Sequence, residues 1–165
     1  MVLVFNPRQM ILVSCRGSAE IIGIEKEKDS VFATSWHTPV SFNPPRYAVV
    51  VSKKMDFAIK LIRSSEVFVV NFVPFELREE IVKCGEISGE HNDSFKYCGL
   101  TMAEAVKIDC GAVQESVGFL ECRILKEDDA GDHVLFVADI VHSEFKDKLR
   151  KRLFHVDKDE FTTTV

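Results

Sequence analysis

At 165 residues and 46% hydrophobic content, the chain is sized for one domain (1–165) with a substantial core. Its 21 Lys plus Arg against 26 Asp plus Glu leave a formal charge of −5, which offers no overall attraction to nucleic acid or anionic lipid. No apolar run approaches the ~20 residues that span a bilayer, and the opening MVLVFNPRQMILVSC, broken by Asn6-Pro7-Arg8, lacks the basic region of a signal peptide.

Met10–Cys15 is an apolar run bounded by Pro7 and Gly17 and reads as a buried strand. Ile21–Ile24 reads as a second short strand, and Glu25–Ser30 (EKEKDS) as a solvated charged turn. Val31–Ser35 then enters Thr34–Pro45, TSWHTPVSFNPP, where Thr34, Ser35, Trp36, His37 and Thr38 stand in a row. Pro39 and Pro44-Pro45 stiffen this stretch and keep the residues before them extended. A stiff, polar, aromatic link between two buried strands suits a flat polar ligand. It equally suits a long β-connection whose Ser and Thr cap local turns.

Tyr47–Ser52 reads as a β-branched core strand. Asp56 is the expected N-cap of a helix over Phe57–Ser64, with Phe57, Ala58, Leu61 and Ile62 on one face. Ser52, Lys53 and Lys54 therefore stand just before a helix N-terminus, a combination suited to phosphate, although such lysines can also be merely solvated. Val67–Phe72 is another buried strand interrupted by Asn71, either a ligand contact or a hydrogen bonder at the end of a ladder.

Pro74 starts an amphipathic helix over Phe75–Cys84, and Ser88–Asp93 makes a polar loop into a helical turn at Ser94–Tyr97. Val117–Leu125 alternates so that Phe119, Glu121 and Arg123 share a face expected to be polar. Glu127–Asp132 reads as a tight acidic hairpin, His133–His142 as the returning strand, and Lys146–Arg152 as a solvated charged run before Leu153–Phe161. About seven short strands with inserted helices indicate a small closed or half-closed barrel. The glycines match no dinucleotide or P-loop motif. Five scattered cysteines without a CxxC pair indicate a reducing, cytoplasmic setting, and the Cys and His spacings give no reason to expect a metal.

Taken in order, TSWHTPVSFNPP, YAVVVSKKMDFAIKLI, VFVVN, SGEHNDSF, FLECRI, AGDHVLFVADIV and LFHVDKDEF resemble the flavin reductase-like family over nearly the whole chain. The resemblance implies a mainly β fold with inserted helices, the FMN-binding split β-barrel, assembled as a homodimer with FMN near the subunit interface. It places Thr34, Ser35, Trp36, His37, Thr38 and Ser41 beside the isoalloxazine. Ser52, Lys53 and Lys54 fall on the phosphate side, and Asn71, Ser88 and Gly89 complete the pocket. His133 matches a position on the nicotinamide side in reducing members. Ala58 stands where many members carry a hydroxyl, and KKMD where an arginine is commoner.

The cofactor carries such a reaction, so no catalytic acid or base is nominated. The implied activity is transfer of reducing equivalents from NAD(P)H through FMN to a flavin or other small-molecule acceptor. The alternative is an FMN-holding electron carrier, reduced by a redox partner protein and lacking NAD(P)H reductase activity.

Overall fold

In the computed structural model, which describes residues 3–164, β1 (Arg8–Gln9) leads into the hairpin of β2 (Ile11–Ile21) and β3 (Ile24–Thr34). The turn is the pair Ile22-Gly23, both at positive φ (52° and 73°), the twist that a two-residue hairpin requires. This corrects the expected strand at Ile21–Ile24 and the expected turn at Glu25–Ser30, since EKEKDS lies within β3. The charges are tolerated because β3 is the edge of its sheet and Glu25–Glu27 face water.

The stretch Thr34–Pro45 is itself half strand. β4 (His37–Ser41) pairs with β5 (Arg46–Ser52) across the exposed turn Phe42–Pro45. A 3-10 turn at Lys53–Met55 follows, then helix α1 (Asp56–Ser65), which buries Phe57, Ala58, Ile59, Leu61 and Ile62. The cap here is Ser52, whose hydroxyl accepts the Lys54 N–H, and the expected cap Asp56 is instead the first helical residue, paired with Lys60 at 2.6 Å.

After β6 (Val67–Phe72), a 3-10 turn at Phe75–Leu77 precedes α2 (Arg78–Cys84), and α3 (Ser94–Cys98) is capped by the Asp93 carboxylate. The short pair β7 (Met102–Glu104) and β8 (Gly111–Val113) carries no signal in the sequence pattern. β9 (Gly118–Ala130) and β10 (His133–Phe145) form a long hairpin turning only at Gly131-Asp132, so Glu127–Ala130 belong to strand rather than turn. β11 (Leu153–Asp157) and β12 (Glu160–Thr163) close the chain.

The main sheet has seven strands in the order β3-β2-β6-β9-β10-β5-β4, all antiparallel neighbours, as the mainly β expectation requires. Its interior gathers Val13, Phe32, Val49, Val51, Phe68 and Phe136 against Leu61 and Ile62 of α1. A second cluster, with Leu12, Val31, Ile81, Cys84, Phe95, Cys98 and Leu153, seats α2, α3 and the C-terminal hairpin. The face expected to be polar in β9 is corrected too. Phe119 and Glu121 are buried, and the Glu121 carboxylate accepts N–H bonds from Val106 (2.6 Å) and Lys107 (2.7 Å), which satisfies it inside. Among the described residues no helix is long and apolar enough to cross a membrane.

Candidate functional site

Strand alternation sets the floor of the site. Register pairs Ser52 with His133 and Val50 with Leu135, so these side chains share one face of β5 and β10. The intervening Val49, Val51, Val134 and Phe136 point the other way into the core.

Residues 34–36 fold over that face. The Trp36 carbonyl accepts the Val50 N–H (2.9 Å), and the Trp36 N–H donates to Thr34 Oγ1 (3.1 Å). Arg8 Nε donates to the Ser35 carbonyl at 2.7 Å. These bonds lay the indole flat on the His133 imidazole, with ring centroids 4.5 Å apart and planes 9° apart. His133 Nδ1 lies 2.6 Å from the Asp132 carboxylate, and this hydrogen bond holds Asp132 below the usual carboxylate range.

Beside the stack opens a cavity of about 340 Å³, bordered by Thr34, Ser35, Trp36, Ser52 and His133. A second space of about 240 Å³ lies between the start of α1 and the loop after α2, lined by Lys54, Ser88 and Gly89. Met55 and Gly85 border both, so the two spaces adjoin and are described together as one cleft. The loop is held by Lys28, whose Nζ donates to the carbonyls of Gly89 (2.7 Å) and Glu90 (2.9 Å). Gly89 is needed there because a Cβ would stand 2.5 Å from Ser30 Oγ.

The hydroxyls along this cleft share one arrangement. Thr34 Oγ1 accepts the Trp36 N–H, Ser52 Oγ the Lys54 N–H and Ser88 Oγ the Glu90 N–H. Each oxygen is thereby fixed by a local turn, and each O–H proton remains available to donate to a ligand. Lys54 is exposed at the cleft, with no carboxylate partner among the described residues. Donor hydroxyls with apolar cover from Val50 and Met55, and the Lys54 cation beside Ser88 and Gly89, fit a flat heteroaromatic ring carrying a phosphate.

The model of the flavin reductase like domain matches residues 5–163. The chain belongs to this family. An uncharacterized protein of Archaeoglobus fulgidus is 34% identical over 116 residues, which are 70% of this chain and 65% of that protein, so the chain spans less than two thirds of that relative. The structure of an FMN-binding protein from Thermus thermophilus superposes with a TM-score of 0.84 at 21% identity, covering 97% of this chain and 88% of that one. A 2-nitrobenzoate 2-nitroreductase from Pseudomonas fluorescens gives 0.79 at 20% identity, covering 98% and 82%. The fold is the split barrel of the flavin reductase-like family.

In this flavin reductase-like chain the other residues singled out from the sequence lie apart from the cleft. His37 is held between the Tyr47 hydroxyl (2.7 Å) and the Gln9 carbonyl (2.8 Å), and burial pulls its pKa down. A carbonyl can only accept, so Nε2 carries the proton and Nδ1 accepts from Tyr47. The Thr38 hydroxyl donates to the Pro39 carbonyl, and Ser41 ends β4 opposite Arg46. Lys53 turns away to Asp129 at 2.6 Å. Asn71 is fully buried, its amide donating to the Leu12 carbonyl, Ser14 Oγ and the Val69 carbonyl while its oxygen accepts the Val113 N–H.

Residues that sequence reasoning passed over also border the cleft, namely His155, Lys158, Asp159 and Phe161 of the C-terminal hairpin. The only signal for them was the resemblance of LFHVDKDEF to a closing segment. Lys28 was missed because EKEKDS reads as a solvated turn.

Proposed function

We propose that this chain binds FMN and passes reducing equivalents from NAD(P)H to a flavin or another small-molecule acceptor. The observation that carries the reading is the pair of adjoining spaces with oriented hydroxyls at Thr34, Ser52 and Ser88 and an ammonium at Lys54 that no carboxylate pairs among the described residues. Thr34, Ser35 and Ser52 donate to the carbonyl edge of the ring, and Val50 and Met55 cover it. Lys54, Ser88 and the loop at Gly89 take the phosphate, with the start of α1 adding its field. A bound flavin supplies the redox chemistry, so the protein's task is to bind, orient and exclude water. His133 orients the nicotinamide donor. Titration of the purified protein with FMN, followed by its visible absorbance and by oxidation of NADH and NADPH, tests the proposal. A colourless protein that takes up no FMN ends it.

One observation favours a second reading, an FMN-holding electron carrier reduced by a partner protein. Trp36 covers one face of His133, the side chain that would orient a nicotinamide. Such a carrier binds FMN yet oxidises neither NADH nor NADPH.

The working unit in this reading is a homodimer. β4 is a sheet edge, and Val40 within it is 48% and Phe42 just past it 98% exposed, apolar surface that a second copy would cover. Light scattering that reports a monomer with FMN bound at micromolar concentration would contradict this. The reading also places the protein in the cytoplasm, supported by five free, buried cysteines.

A further inference from the structure

Across the indole of Trp36 from the cleft lies another cavity of about 340 Å³, walled by Phe5, Trp36, Ala48, Val50 and Leu135. Trp36 and Val50 border both spaces, so the indole is the partition between them. The lining is apolar apart from Arg8, His37 and Thr38. His37 and Thr38 are bonded within the protein rather than to the cavity: the imidazole bonds Tyr47 and Gln9, and the Thr38 hydroxyl donates to the Pro39 carbonyl.

Arg8 differs. Its Nε–H donates to the Ser35 carbonyl, which pins the guanidinium, and its Cζ lies 5.5 Å from the centroid of the Phe5 ring. No carboxylate pairs with it among the described residues. The two terminal NH2 groups therefore present a fork without an anionic partner, the geometry that matches a carboxylate. The aromatic walls, Phe5 and Trp36, meet edge to face with centroids 6.0 Å apart, and favour a planar ring.

We propose that this cavity binds a small aromatic carboxylate, its ring between Phe5, Trp36 and Leu135 and its carboxylate on Arg8. As the acceptor side of the redox site the inference rests on the flavin reading, because the two spaces adjoin at Trp36 and Val50; binding itself does not. Charge decides against the exposed Phe42 of a second copy as occupant. A phenyl ring would fill the space but bring no anion to a guanidinium that already has an aromatic contact in Phe5.

Trp36 is the one tryptophan in the chain, so its fluorescence reports on the cavity directly. Benzoate and its neutral isostere benzamide are titrated into FMN-free and FMN-loaded protein, with FMN affinity measured on the same preparation. Benzoate binds about tenfold tighter than benzamide, Arg8→Gln removes that gap, and Leu135→Phe, which fills the cavity away from Arg8, weakens both probes. Equal affinity for the two probes overturns the proposal, as does a gap that survives Arg8→Gln. Should Arg8→Gln not fold, the wild-type gap and Leu135→Phe decide alone. Silence toward benzoate in protein that takes up FMN sinks the cavity and spares the flavin reading. Benzoate binding in protein that takes up no FMN does the reverse. Emission that changes on dilution, together with the scattering mass, and ignores benzoate assigns the cavity to a second copy and overturns the proposal.

Discussion

The indole of Trp36 and the imidazole of His133 lie face to face, 4.5 Å between centroids, although the residues are far apart in sequence. The stack depends on β5, which pairs Ser52 with His133 and accepts Trp36 through the Val50 N–H. His133 is thereby held in one direction at the mouth of the cleft.

If His133 orients a nicotinamide donor, His133→Ala leaves FMN affinity near normal and lowers kcat/KM for NAD(P)H, by as much as roughly a hundredfold for lost positioning. Steady-state oxidation per bound FMN, with melting temperature on the same sample, checks this. An unchanged rate per FMN removes His133 from the site and leaves it a role in tying down the hairpin.

Lys53 and Lys54 are neighbours in sequence with different surroundings. Lys53 is engaged by Asp129 at 2.6 Å, whereas Lys54 borders the space with Ser88 and Gly89. Lys54→Ala is expected to weaken FMN by about tenfold while leaving riboflavin unchanged, since only the phosphate is affected. Lys53→Ala should do much less. Parallel titrations with both ligands decide it, and equal losses of FMN and riboflavin in Lys54→Ala would put the phosphate elsewhere.

Asn71→Ala removes the acceptor for the buried Val113 N–H and the donor to the Leu12 carbonyl and Ser14. The expected cost is about 2–3 kcal/mol of stability, the usual range for orphaning a buried polar group. Denaturant unfolding measures that cost, and FMN affinity per folded molecule should hold. A stable variant that has lost FMN would assign Asn71 to the ligand.

His37 carries a pH signature. Burial, reinforced by the nearby Arg8 charge and opposed by the Gln9 carbonyl, lowers its folded pKa. Above the ordinary histidine value of about 6.5 the group is neutral in both states, and its stabilising bonds to Tyr47 and Gln9 are intact. As pH falls below that value the unfolded chain protonates first, so stability declines toward the lowered folded pKa. Melting temperature against pH should therefore drop more steeply in the wild type than in His37→Gln across mildly acidic pH. A ring titration by NMR at or above the ordinary value would refute this.

The sequence by itself determined the strands that are predominantly apolar, such as Val67–Phe72 and Tyr47–Ser52, and the helix after Lys54. Local periodicity reports burial on both faces or on one stripe of a helix directly. It also carried the family, because an ordered set of motifs survives without any knowledge of contacts. Strand segments left without a partner on one side were not legible. EKEKDS and Glu127–Ala130 are polar because one side of each meets water, and a polar run in sequence looks like a turn. Glu121 was misjudged for the converse reason: its partners, the N–H groups of Val106 and Lys107, lie on a distant loop.

Tertiary structure alone decided which members of the cluster at residues 34–38 face the cleft. Strand alternation and the bond from Val50 send Trp36 onto His133, while the neighbouring His37 turns to Tyr47. It likewise separated Lys53 from Lys54, brought the C-terminal hairpin to the cleft, and set Arg8 against Ser35. Each depends on pairing between strands remote in the chain. Spacing within one strand cannot encode which remote strand supplies its neighbour, because register is fixed only when the whole sheet closes.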